Sequence, residues 1–124
     1  MTRTLSEFHY STHIIDAGSL RSEEALHDEL AFKLGLPNGY ERNWESLLDC
    51  LSSISDPLDN QCQHWEFRTG KRMVLCFHGF GSEPADPQLL LALAQVIAGA
   101  NDELEQGSEG IRIWLDFTTE EQKR

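Results

Sequence analysis

Glu41, Glu45 and Asp49 stand four residues apart in the stretch PNGYERNWESLLDCL, Pro37–Leu51. On a helix that spacing stacks carboxylates along one side. Like charges so placed destabilise a helix by about 0.2–0.5 kcal/mol per pair. Taken by their charge alone, these residues fit two readings: a solvated acidic surface, or a face that holds a basic protein.

Three other patterns bear on chemistry. VLCFHGFGSEP, Val74–Pro84, has the form of a strand running into His-Gly-x-Gly. That is the shape of a hydrolase oxyanion loop, in which backbone N–H groups hold developing negative charge. A hydrolase also needs a GxSxG elbow, and QGSEG at Gln106–Gly110 is one residue short of it. The loop at His78 and Gly79 is therefore read as a tight strand exit, with a small hydrolase as a remote alternative. The five histidines form no HExxH motif and no Cys/His cluster, so neither a metal nor any other cofactor is expected. His9 and His13 would share one face of a strand but lie too far apart to grip one ion. The one basic cluster, RTGKR at Arg68–Arg72, is too short for a phosphate-binding surface.

The composition points the same way. The 124 residues carry 10 basic and 21 acidic side chains, a net charge of −11. Such a field repels nucleic acid and anionic membranes and speeds encounter with basic proteins. Five acids and one base, Arg42, lie between Pro37 and Asn60, and NDELEQGSE at Asn101–Glu109 adds four acids and no base. No apolar run reaches the roughly 18 residues of a membrane span, and MTRTLSEFHY is not a secretory signal. Cys50, Cys62 and Cys76 form no CxxC pair and read as reduced thiols, Cys50 and Cys76 in the core. A cytoplasmic protein is expected.

These residues need a frame to position them. FHYSTHII, Phe8–Ile15, reads as a strand. SEEALHDELAFKLGLP reads as a helix capped by Ser22, stopped by Gly35 and Pro37, and striped by Leu26, Leu30 and Leu34. Asn43 caps the next helix, in which Trp44, Leu47, Leu48 and Leu51 face the core. That cap leaves Glu41 before the first turn and makes Glu45 and Asp49 the helical pair. HWEFR and RMVLCFH are expected to form a hairpin around RTGKR. Asp86 and Pro87 start a helix that runs to about Ala100 and, being apolar nearly all round, is expected to be mostly buried. IRIWLDF, Ile111–Phe117, is a last strand, and the three tryptophans, 44, 65 and 114, are assigned to the core. Strands separated by helices predict an α/β fold with a mainly parallel sheet.

LHDELAFKLGLPNGYERNWESLLDCL, Leu26–Leu51, resembles the barstar family, small inhibitors of barnase-type ribonucleases, whose pattern is LxLPxYYGxNxDALWDCL. Leu36, Pro37, Tyr40, Asn43, Leu47 and the run Asp49-Cys50-Leu51 match it, and Glu45 stands for the first aspartate. The likeness covers about residues 11–54; beyond them only the order of elements agrees. It implies a single small layered domain over 1–124, a short mainly parallel sheet covered by helices with an extra hairpin strand, an insertion over 55–71, and a flexible tail over 118–124.

The resemblance further implies a partner that is a basic ribonuclease toxin, and an immunity or antitoxin role rather than an enzymatic one. Asp49 would anchor the contact where substrate phosphate otherwise binds, supported by Glu45 and lined by Tyr40, Asn43 and Trp44. Glu41, Leu48 and Ser53 complete the expected surface, and Asp102 and Glu103 are candidates on the last helix. Three departures stand out: Gly39 replaces a tyrosine, Glu41 a glycine and Leu48 a tryptophan. They imply a partner of different contour from barnase. The alternative is a non-inhibitory acidic adaptor that uses the same face on another basic protein.

Overall fold

Both edges of the central strand are taken, and that settles the architecture. The computed structural model describes residues 10–68, 70–80, 85–107 and 110–118. β1 (Tyr10–Asp16), β2 (Arg72–His78) and β3 (Arg112–Thr118) pair in the order β1-β2-β3, all parallel. The register sets Thr12 beside Val74 and Val74 beside Trp114. Parallel neighbours need crossovers. Two helices, α1 (Glu23–Leu34) and α2 (Trp44–Ser52), lie between β1 and β2, and α3 (Pro87–Gln106) lies between β2 and β3. The expected α/β layering is therefore observed.

The expected hairpin is not. Residues 64–68 are not in a strand, because β2 bonds β1 on one side and β3 on the other and has no edge to offer. The segment instead satisfies its backbone locally. Asn60 donates to the Cys62 carbonyl (2.9 Å) and the Trp65 carbonyl (3.1 Å). Trp65 is buried, its indole N–H on the Ile54 carbonyl at 3.0 Å, and the Lys71 ammonium lies 4.8 Å from its ring centroid.

Local signals place the helices. Ser22, Asn43 and Asp86 each accept a backbone N–H with their side chains, from Ala25, Ser46 and Gln88. Leu26, Leu30, Leu34, Leu47, Leu51 and Leu93 meet Met73, Leu75 and Phe77 from the sheet in one core. α3 departs from expectation twice. It runs on to Gln106, and only the stripe Leu89, Leu93, Val96, Ile97, Ala100 and Leu104 is buried. Leu91, Ala94 and Ala98 face outward; the two alanines suit a helix wherever they point. Trp114 is also not core. It is 45% exposed on the outer sheet face, 5.6 Å from the Tyr10 ring, with the Arg72 guanidinium 5.6 Å from its own. Cys50, Cys62 and Cys76 are buried free thiols. Phe8, His9, the 81–84 part of the Gly-rich loop, Ser108, Glu109 and the tail from 119 lie outside the described residues. Thr118, placed in that tail by the sequence reading, closes β3.

Gly35 ends α1 with φ 68° and ψ 47°, a left-handed turn that favours glycine. A Cβ there would lie 2.9 Å from His64 Cδ2. The carbonyls of Leu34 and Gly35 accept N–H groups from His64 and Gln63, so the helix end also anchors the later segment. Gly35→Ala is expected to destabilise the fold by about 1–3 kcal/mol in urea titration.

Candidate functional site

Three contacts aim α2. Asn43 Oδ1 accepts the Ser46 N–H at 2.7 Å, fixing the first turn. Behind it, His27 of α1 is fully buried, its Nδ1 bonded to the Tyr40 hydroxyl and its ring 4.7 Å from that of Trp44. Arg42 then turns the chain with φ 56° and gives its Nε–H to Asp28 at 2.6 Å. The sole base of the Pro37–Asn60 stretch is thus held by α1.

Glu45 and Asp49 remain exposed on the outer side of α2, and no lysine or arginine among the described residues forms an ion pair with either. Asp49 lines a cleft of about 510 Å³ with Pro37, Gly39, Tyr40, Ser46, Ser53, Asp59 and Gln61. Glu45 lines a shallower groove of about 300 Å³ between α2 and α3, with Trp44, Leu48, Ala92, Gln95 and Val96. Glu41 sits before the helix; its carboxylate accepts from Asn43 Nδ2 at 3.5 Å, and its N–H donates to Ser46 Oγ at 3.3 Å. Asp102 and Glu103 are exposed on α3 and line neither depression.

Several residues of this surface have structural duties. Tyr40 is only 6% exposed, and burial holds its hydroxyl well above the usual tyrosine range, so it remains a neutral hydrogen-bonding group. Burial likewise lowers the His27 pKa, against the opposing pull of Glu23, whose carboxylate lies 3.8 Å from Nε2. Burial, and then the charge of Asp49, raises the Cys50 thiol; burial pushes Cys62 up to about 12. Neither is a thiolate nucleophile. Ser53 is half-buried; its hydroxyl donates to the Cys50 carbonyl at 2.6 Å and accepts the Gln61 N–H at 2.8 Å. Ser53→Ala is expected to cost about 1 kcal/mol in thermal unfolding and to release Gln61 from the cleft wall.

In the His78 loop, the described backbone donors after the strand are already engaged. The Gly79 and Phe80 N–H groups both donate to the Thr118 carbonyl, at 3.0 and 2.8 Å. Neither is left to stabilise an oxyanion. No group of three or more potential metal ligands occurs among the described residues, and no helix among them is long and apolar enough to cross a membrane.

A family model described as "Barstar (barnase inhibitor)" matches residues 10–118. The chain belongs to the barstar family. Barstar-family proteins are inhibitors, and the match extends beyond residues 11–54 through all three strands. The chain is also similar to a Bacillus subtilis (strain 168) protein named "Putative ribonuclease inhibitor YrdF". Identity is 42% over 55 residues, 44% of this chain and 60% of the relative's length. Sequence reasoning about this barstar-family chain missed His27 and Asp28, which orient the site from α1, and Asp59 and Gln61, which wall the cleft. Nothing local marks His27, Asp28 and Gln61, which bond residues 13, 14 and 8 positions away, and Asp59 stands out only by lining the same cleft as Asp49.

Proposed function

We propose that this protein inhibits a basic, barnase-type ribonuclease toxin, as an immunity protein or antitoxin in the cytoplasm, by seating Asp49 and Glu45 in the enzyme's active site. One observation carries the reading: these carboxylates are exposed and have no lysine or arginine partner among the described residues, while the nearby Arg42 is tied to Asp28. A ribonuclease site is cationic because it holds phosphate, and carboxylates on a packed helix are ready-made substitutes for it. Trp44 and Leu48 give the partner an apolar rim beside Glu45. Tyr40, Asn43 and Ser53 hold the surface in shape, and Glu41 adds to the field that steers encounter.

Affinity capture from the source organism's lysate tests this, with the native chain and a Glu45→Lys/Asp49→Lys version as paired baits. The expected result is a small basic protein on the native bait alone, whose ribonuclease activity the native chain suppresses. A protein captured equally by both baits would refute the assignment of the face. One captured by the native bait but not inhibited would point to the adaptor instead.

A further inference from the structure

The helices share their core with one face of the sheet, the face of Ile15, Met73, Leu75, Phe77 and Ile113. The other face is left open among the described residues: Tyr10, Ile14 and Trp114 stand 40%, 50% and 45% exposed on it. Parallel sheets are normally covered on both faces, and a contiguous exposed apolar patch marks an interaction surface. The strand register sets this face in four cross-rows. Tyr10, Arg72 and Arg112 make the first, and Thr12, Val74 and Trp114 the second. Ile14, Cys76 and Asp116 make the third, and Asp16, His78 and Thr118 the fourth. Arginines therefore stand at one end of the face and carboxylates towards the other, with apolar side chains between. None of Arg72, Arg112, Asp16 and Asp116 forms an ion pair among the described residues. Arg112 and Asp116, four residues apart on one strand, are separated by about 13 Å and cannot meet within one chain.

We infer that this face binds a second copy of the chain, the two sheets stacking outer face to outer face with their strands antiparallel. A twofold axis across the strands lays the first row of each copy over the fourth row of the other, and the second over the third. Arg72 then meets the Asp16 end of the second copy, Arg112 lies beside Asp116 of the second copy, and the apolar middle rows close on each other. Stacked sheets lie about 10 Å apart, a gap that an arginine and an aspartate span together. A twofold axis along the strands would instead set Arg72 against its own copy, so charge selects the antiparallel stack. The face measures roughly 20 Å by 15 Å, small beside the roughly 800 Å² per partner of a standard interface. The dimer is accordingly weak, with a dissociation constant on the order of 10⁻⁴ M. Repulsion between two chains of net charge −11 is largely screened at physiological salt, where the Debye length is about 8 Å. Because α2 packs on the other face, Glu45 and Asp49 stay free in the dimer.

Sedimentation equilibrium at physiological salt tests this. From about 10⁻⁵ to about 10⁻³ M native chain, the mean mass should climb from that of one chain towards that of two. Arg112→Asp and Asp116→Arg each set like charges against each other at the contact, and each should stay monomeric alone. Their equimolar mixture restores opposite charges and should dimerise as the native chain does. Trp114→Thr, a residue that suits an exposed strand position, gives a second test that leaves the charges alone: it should weaken association about tenfold. A native chain that stays monomeric over this range would overturn the inference. So would native-strength association of Arg112→Asp, Asp116→Arg or Trp114→Thr alone, or a charge-swapped mixture that stays monomeric while both variants keep the native circular dichroism.

Discussion

Asp49→Lys is expected to weaken binding to the ribonuclease by about 3–5 kcal/mol, or roughly two to four powers of ten. The change leaves a cation of the enzyme buried without its counter-charge and brings a second cation against it. The fold should respond in the opposite direction. Asp49 is exposed and pairs with no lysine or arginine among the described residues, so no ion pair among them is lost when it is replaced. A lysine four residues after Glu45 also turns a repulsive pair into an attractive one, a gain of about 0.2–0.5 kcal/mol. Lost affinity with equal or higher stability is the signature of a residue kept for binding. Calorimetric titration and urea unfolding of the same samples would reveal it. The affinity of the native chain should fall as salt rises, since its rim charges are exposed.

His27→Ala is expected to damage the fold heavily, by about 3 kcal/mol in urea unfolding. It removes a fully buried ring that packs on Tyr40 and Trp44, and it orphans the buried Tyr40 hydroxyl. Against a typical total of about 5–15 kcal/mol that loss is large. Binding should suffer too, because the approach to α2 would lose its support.

The same residue sets a pH dependence. Burial lowers the His27 pKa in the folded state, so unfolded chains bind its proton more readily. Its contribution is complete above the unfolded value near 6.5 and is lost as pH falls below it. His13 adds to the same trend: burial lowers it first, then the charges of His64 and Lys71. Stability should drop between about pH 7 and pH 5, with a shallower slope in His27→Phe than in the native chain.

The sequence made legible what is local. Ser22, Asn43 and Asp86 cap helices through bonds only two or three residues long, and the leucine stripes follow helical spacing. The parallel order followed from helices set between strands. What was hidden depends on distant partners. HWEFR has the composition of a strand, but whether it pairs depends on β1 and β3 already flanking β2. Trp114 looked like core because its neighbours Ile113 and Leu115 do; strand alternation sends it to the other face. α3 looked buried all round because alanine counts as apolar in any pattern while needing no burial. At the candidate site, spacing put Glu45 and Asp49 on one side of a helix, and the barstar resemblance chose a binding face over a solvated one. The place of Asp59 in the cleft lining could not be read, because it depends on a turn held by Ser53 and Asn60.

The most direct test of the central claim is an inhibition titration. A fixed amount of the captured barnase-type ribonuclease is assayed against increasing amounts of native chain and of Asp49→Lys. The account predicts that activity falls in proportion to added native chain and vanishes at one equivalent, while Asp49→Lys needs a large excess to reach the same point. Equal inhibition by the two chains would contradict it, as would full activity in the presence of excess native chain.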